Sequence, residues 1–553
     1  MTPEQLSRTI LDALTSLVEG GEVALPSLPD EVRVERPKSK EHGDYATNVA
    51  LQVAKQAGVP PRELAALLAA RLESAAGIAG VEVAGPGFIN VRVEASAQGE
   101  LARQVVAAGD EYGRSDTLGG VRVNLEFISA NPTGPLHLGH TRWAAVGDAL
   151  GRVLEAAGAQ VVREFYINDR GSQMEKLGQS IMAAAHGEPP PDDGYHGAYI
   201  TDLAKSIVAD RPSLTDLPAD EQLIAFREEG YVRQLREQRE HLESFRTHFD
   251  VWYSERQLHD GGKVEHGLDR LKAEGHLFEQ DGALWMRTTD FGDDKDRVLV
   301  RSNGELTYFA SDTAYYVDKR ERGFDRCIYL LGADHHGYVG RLKAMAACVG
   351  DDPTSHIDVL IGQLVKILRD GVEVRLSKRA GSIVTLQEIV DLVGVDALRY
   401  TLCRYPVDSP LTLDVEVITR QSADNPVFYV QYGHARLASI LRNAADLGVV
   451  AAGDRFDPAL LEHQREGDLL RALGEFPRMV AQAAELREPH RVARYLEATA
   501  ATFHKFYDEC RVLPRGDEEA TPLHEARLLL VEATRVVLAN GLALLGVHAP
   551  ERM

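Results

Sequence analysis

Residues 121–140 read VRVNLEFISANPTGPLHLGH. The first eight are mostly apolar, as in a strand buried on both faces. Proline and glycine then crowd ANPTGP, the composition of a turn. A helical pattern runs from the histidines through GHTRWAAVGDALGRVLEAAG, with Gly158 placed as its C-terminal stop. The next strand-like run is VVREFYI. Strand, helix, strand in this order predicts a parallel sheet with right-handed crossovers. Open α/β sheets bind ligands beyond the carboxyl ends of their strands. The turn therefore lies where a ligand is expected.

Two imidazoles, His137 and His140, sit three apart at the predicted helix start and share one face of it. A helix N-terminus attracts phosphate through its unpaired N–H groups and its dipole. Gly139 leaves out a side chain where a nucleotide could pack on backbone. The same histidines could also serve only as a helix cap, and H-x-G-H alone does not decide between the two.

Outward from this stretch, strand-like runs return at RCIYLLG and IDVLIGQLVKIL, so the α/β domain is expected over 116–405. It is interrupted at about 175–290 by charged, largely helical sequence such as EEGYVRQLREQREHLESFRTHFD. Residues 1–115 mix helices with a short strand pair near VEVAGPGFINVRV, and YGRSDTLGG marks the boundary. Residues 406–553 read as helical throughout. The fold class is thus α/β: a Rossmann-like parallel-sheet domain with a helical insertion, an α+β N-terminal domain and an all-α C-terminal domain.

The totals agree with a large soluble protein. The chain has 553 residues, 44% hydrophobic and 26% charged. No apolar run reaches the ~18 residues of a membrane span. MTPEQLSRTILDAL reads as a capped helix start, with Thr2 and Gln5 forming a capping box, rather than as a targeting peptide. Cys327, Cys348, Cys403 and Cys510 are far apart, which suits free thiols and a cytoplasmic location. A net charge of −23 argues against a general nucleic-acid binder but leaves room for a local basic patch.

A second chemical stretch is EVRLSKRAGSIVTL, where Ser377, Lys378 and Arg379 precede Gly381. A basic loop of this kind can close over a polyphosphate, although LSKR alone also fits a surface turn. No Walker A pattern occurs. H-x-G-H followed much later by x-L-S-K-x resembles the class I aminoacyl-tRNA synthetases. GDYATNVAL (43–51), PGFINVRV (86–93), ANPTGPLHLGH, YINDRGSQM (166–174), GADHHGYV (332–339), DALRY (396–400), NPVFYVQYGHAR (425–436) and APERM look like the arginyl-tRNA synthetases, in the right order over nearly the whole chain.

That resemblance implies a reaction and a set of residues. L-Arginine and ATP would give arginyl-adenylate and pyrophosphate, and the arginyl group would pass to tRNA(Arg). The HIGH-type motif would be Ala130, Asn131, Pro132, Thr133, Gly134, Pro135, Leu136, His137, Leu138, Gly139 and His140. His137, His140 and Lys378 would stabilise the triphosphate, with Pro135, Gly139 and Ser377 also at ATP. Mg²⁺ would ride on the phosphates, with no zinc. The KMSKS-type loop departs from the family pattern at Arg375, which keeps the charge but not the ammonium geometry and leaves its role open.

Arginine itself presents a permanently charged, planar fork of donors and calls for carboxylates. By resemblance Glu126, Tyr308 and Asp312 would hold the guanidinium, Asn131 the α-amino and carboxylate end, and His335 would contact substrate. Taken alone, Asp312 would read as a surface or capping carboxylate. No close natural competitor demands editing, and none is expected. The N-terminal domain would touch the tRNA elbow, with Asn90 as contact, although by itself Asn90 reads as a turn residue. The C-terminal helices would read the anticodon, with Tyr429 and Tyr432 stacking on bases; a stripe at this spacing is otherwise core. A monomer that requires tRNA for activation is the family expectation.

Overall fold

The structure, a computed structural model, describes residues 1–37, 39–373, 384–451 and 456–553, with the side chains of 40 and 95–98 excepted. Near the N-terminus, β1 (Val34–Glu35), β2 (Tyr45–Thr47), β3 (Ile78–Ala84) and β4 (Phe88–Val93) form an antiparallel sheet in the order β1-β2-β4-β3. It packs with the helix Pro3–Glu19 around a core of its own that includes Leu6, Ile10, Leu68 and Ile89. Thr2 and Gln5 close the expected capping box.

Strands β5 (Arg122–Glu126), β6 (Gln160–Ile167) and β7 (Val251–Ser254) follow as parallel neighbours. The chain then forms a separate antiparallel sheet of β8 (Leu277–Gln280), β9 (Ala283–Met286) and β10 (Arg297–Val300). It returns with β11 (Arg326–Gly332) and β12 (Ile357–Gly362), giving a five-stranded parallel sheet in the order β12-β11-β5-β6-β7. From β5 the chain first moves toward β7 and later comes back on the other side at β11. The order therefore reverses between β5 and β11, and the crevice outside their carboxyl ends is where such sheets bind ligands.

Three expectations need correction. The insertion at about 175–290 is not purely helical. It contains β7, an edge strand of the main sheet, together with β8 and β9. The run IDVLIGQLVKIL is two strands, not one. After β12 the chain changes sheet at Gln363 and Leu364, and β13 (Val365–Arg369) pairs with β14 (Val372–Glu373) and β15 (Leu411–Asp414). The last of these also lies past 405, in sequence read as wholly helical.

The histidine helix, Leu138–Ala156, is buried along nearly its whole length against the main sheet. Gly158 follows its end with φ +95°, in the left-handed region that suits glycine. Near its middle, Asp148 accepts from Arg399 Nη2 at 2.5 Å, and both side chains are fully buried. Arg399 also donates to Leu545 O at 3.0 Å, Phe245 O at 2.9 Å and Thr247 Oγ1 at 3.3 Å. One guanidinium thus joins the histidine helix, the end of the helix Ala219–Ser244 within the insertion and the end of the last long helix, Pro522–Leu544.

Candidate active site

The chain leaves β5 at Glu126 and turns sharply. Ile128 and Ser129 have φ of +68° and +44°, values that non-glycine residues, and β-branched ones above all, rarely adopt. The turn sends Ser129 Oγ back to donate to Glu126 Oε1 at 3.0 Å, while the same oxygen accepts from Tyr166 N on β6 at 3.1 Å. The Pro/Gly segment that follows is held from the insertion. Gln238 Nε2 donates to Asn131 O at 3.1 Å and to Gly134 O at 2.8 Å, and Tyr199 OH donates to Thr133 O at 3.1 Å.

His137 is the N-cap of its helix. Its Nδ1 accepts from Gly139 N at 3.1 Å, and His140 Nδ1 accepts from His137 N at 3.3 Å. The rings lie 3.9 Å apart. With both Nδ1 atoms accepting, the neutral imidazoles carry their protons on Nε2 and act there as donors. Capping and phosphate binding are therefore compatible, since the two tasks use opposite ring nitrogens. A Cβ on Gly139 would sit 3.0 Å from His137 Cε1, so any larger residue would crowd the histidine ring that caps the helix.

A cleft of about 1020 Å³ opens at the reversal between β5 and β11, lined by Glu126, Asn131, His137, Gly139, His140 and, after β11, Asp334 and His335. Asn131 Nδ2 donates to Gln173 at 2.5 Å, and His335 lies 3.5 Å from Asp334. Tyr308 and Asp312 are on one helix, Tyr308–Glu321, four residues apart, but neither lines this cleft. Tyr308 is 73% exposed. Asp312 is partly buried near Glu126 and Glu255; burial first, then these two carboxylates, push its pKa up to about 7, with Arg341 opposing. Ser377, Lys378 and Arg375 lie outside the described residues, as does Arg379.

Several residues of the site carry no signal in the sequence. Lys319, fully buried, donates to Glu126 Oε2 at 2.5 Å and sits over the rings of Tyr315 and Tyr329. Glu126 therefore already has a counter-charge. Glu255, buried at the end of β7, has its pKa raised to about 7 by burial and by Asp169, with Arg170 opposing. Of the carboxylates Glu126, Glu255 and Asp312, only the first has a lysine or arginine among its hydrogen-bond partners. Among the described residues no three His, Cys, Asp or Glu side chains are grouped to hold a metal ion.

Away from the cleft, Asn90 is no turn residue but lies within β4, between Ala46 and Glu82 on the flanking strands, and is 7% exposed. Phe88, on the same face of that strand, is its exposed large side chain. In the helix Pro426–Asp446, Tyr432 is 43% exposed and stacks on Phe428, with centroids 6.0 Å apart. Tyr429 instead packs against His504 at 5.1 Å and against the core. Arg436 lies over both Tyr432 and Tyr507.

A parallel sheet with an imidazole pair at its reversal point and a helical C-terminal region defines the class I aminoacyl-tRNA synthetases. The family models agree. Residues 104–260 and 261–400 match tRNA synthetases class I (R), catalytic domain; 4–93 match the arginyl tRNA synthetase N terminal domain; 430–553 match the DALR anticodon binding domain. The chain is 59% identical to the arginine–tRNA ligase of Frankia alni and 57% identical to that of Kineococcus radiotolerans, over the full length of each. Its fold matches the Thermus thermophilus arginyl-tRNA synthetase over all of both chains, with a TM-score of 0.76 at 24% identity. A Campylobacter jejuni structure titled a putative arginyl-tRNA synthetase matches over 83% of this chain and all of its own, with a TM-score of 0.75 at 30% identity. The chain belongs to the arginyl-tRNA synthetase family.

Proposed function

We propose that the chain activates L-arginine with ATP and transfers it to tRNA(Arg), releasing AMP and pyrophosphate. The observation that carries this reading is the imidazole-lined cleft at the sheet reversal with Glu126 on its wall; Asp312, outside that lining, is a desolvated carboxylate whose pKa Glu126 helps raise, and an arginine guanidinium would supply the missing cation. Glu126, Tyr308 and Asp312 hold the guanidinium end, Asn131 the α-amino and carboxylate end, and His335 a flank of the substrate. The reaction needs little covalent chemistry from the protein. The arginine carboxylate attacks the α-phosphate in line, and the protein positions both and meets the charge on the phosphate oxygens. The Nε2–H groups of His137 and His140 do so from the helix start, together with Lys378 and Ser377, and Pro135 and Gly139 border the nucleotide. The Mg²⁺ that accompanies ATP is bound by the phosphates.

ATP–pyrophosphate exchange with each standard amino acid, with and without tRNA, tests this reading. Exchange with arginine that depends on tRNA is expected; equal exchange with lysine would overturn it. His140→Ala is expected to slow exchange on the order of 10²-fold, the usual effect of losing one donor to a developing oxyanion, with tRNA affinity nearly intact. A loss below fivefold would remove His140 from the chemistry.

The domains assigned are 1–115 at the tRNA elbow, 116–405 for catalysis and 406–553 at the anticodon. On the first, Asn90 and the exposed Phe88, two apart on one face of β4, offer the contact. On the last, Tyr432 with Phe428 offers a stacking surface beside Arg436, and Tyr429 supports it from beneath. Base stacking is worth about 1–3 kcal/mol per base. Tyr432→Ala should therefore raise the KM for tRNA roughly tenfold while the KM for arginine holds; a change in tRNA KM under twofold would reject stacking. A monomer in the cytoplasm completes the proposal. No helix among the described residues is long and apolar enough to cross a membrane.

A further inference from the structure

Arg142 follows the second histidine by two residues on the same helix and is almost fully buried. Its guanidinium donates to backbone carbonyls: Nη1 to Gln363 O and Ser409 O, each at 2.9 Å, and Nη2 to Pro406 O at 2.8 Å. Burying a cation on neutral acceptors is costly, and a surface-facing residue would have served a plain helix. The acceptors share a location. All three lie where β13 and β15 begin, and there the two segments are already bonded to each other, Gln363 N to Val407 O at 2.9 Å and Leu411 N to Leu364 O at 3.2 Å. Arg142 thus fastens the start of the small sheet to the histidine helix.

That sheet leads through β14 to residues 374–383. On their far side Thr385 bridges His137, and Leu386 N donates to Leu136 O at 2.8 Å. The described chain is therefore tied to the histidine element on both sides of the segment that carries Ser377 and Lys378. Before it the hydrogen-bonded tie is the Arg142 side chain; after it the tie is backbone. Arg142, Trp143, Gln363, Leu364 and Val365 also line the cleft that holds the histidines.

We propose that Arg142 is a positioning residue for adenylate formation, fixing the β13–β15 sheet against the histidine helix and so setting the cleft wall of Gln363, Leu364 and Val365 relative to His137 and His140. This rests on the arginine-activating reading above. A planar fork reaches three carbonyls at once; an ammonium on a flexible stem keeps the charge but not that geometry.

The test compares wild type, Arg142→Lys and Arg142→Gln as full-length proteins, by arginine-dependent ATP–pyrophosphate exchange with tRNA present and by thermal melting. Wild-type exchange with arginine tests the underlying reading by itself. For Arg142→Lys we expect kcat to fall about tenfold and the KM for ATP to rise, with the KM for arginine within twofold and melting within a few degrees. Arg142→Gln should lose about 10²-fold in kcat, so that lysine partly rescues. A lysine variant with kcat and ATP KM within twofold of wild type overturns the proposal. So does a loss matched by an equal loss of folded protein. If the glutamine variant fails to fold, the lysine variant decides alone.

Discussion

Asp312→Asn is expected to lower kcat/KM for arginine by roughly 10²–10³-fold, about 3–4 kcal/mol, while the KM for ATP changes little. The reason is the charge already present around it. Lys319 compensates Glu126, so the carboxylates left for a substrate cation are Asp312 and Glu255, and of these the family pattern points to Asp312. Asparagine keeps the shape and one acceptor but leaves the guanidinium without its counter-charge in a desolvated place. Steady-state exchange kinetics with arginine and ATP varied separately would check it. Equal losses for both substrates would show that Asp312 does not face the guanidinium.

The same carboxyl gives a pH dependence with a defined sign. Its pKa is pushed up to about 7 by burial and by Glu126 and Glu255. An incoming guanidinium favours the ionised form, so binding expels the proton. Arginine affinity should therefore rise as pH increases through about 7, and Asp312→Asn should flatten that rise. For folding the sign is the reverse of that for a salt-bridged carboxylate. The folded state holds this proton more tightly than the unfolded one, so the ligand-free protein loses stability from this group between its ordinary value of 3.8 and about 7 as pH rises.

Asp148→Ala is expected to destabilise the protein by roughly 3–5 kcal/mol, because it leaves the buried Arg399 cation without its partner. Asp148 also accepts from Arg152 Nε at 2.7 Å, so a second guanidinium loses its anchor. Replacing both members by apolar residues, as Asp148→Leu with Arg399→Met, should recover only part of the loss, since the carbonyls of Phe245 and Leu545 would then lack a donor. Urea unfolding monitored by tryptophan fluorescence reads this directly, and a shift worth less than about 1 kcal/mol would contradict the assigned role.

What could be read from sequence alone was local. The strand, turn and histidine helix are contiguous and strongly patterned, and their placement followed from 20 consecutive residues, 121–140. VWYS at β7 and LTLD at β15 are four residues each, too short for a period to emerge, so both were absorbed into helical surroundings. The apolar run through 357–369 hid a change of sheet because its two strands are separated by only Gln363 and Leu364. In the site, the family pattern pointed to Asp312, but nothing pointed to Lys319, which lies 193 residues from the Glu126 it neutralises. The alternative reading of Asn90 as a turn residue failed for the opposite reason: proximity to glycine and proline suggested a turn, whereas pairing with Ala46, 44 positions earlier in the chain, sets it within a strand.

The Arg399 junction also sets a timetable for synthesis. Its carboxylate partner precedes Arg399 by 251 residues, and its acceptor at Leu545 follows it by 146. At about 5–20 residues per second, roughly 7–30 s separate the emergence of Arg399 from that of Leu545. Through that interval the guanidinium lacks one of its seats, and the helix bearing His137 and His140 lacks its junction to the end of the chain. The site for activating an amino acid is thus assembled early in pattern but secured late, when the helical region that follows it has been made.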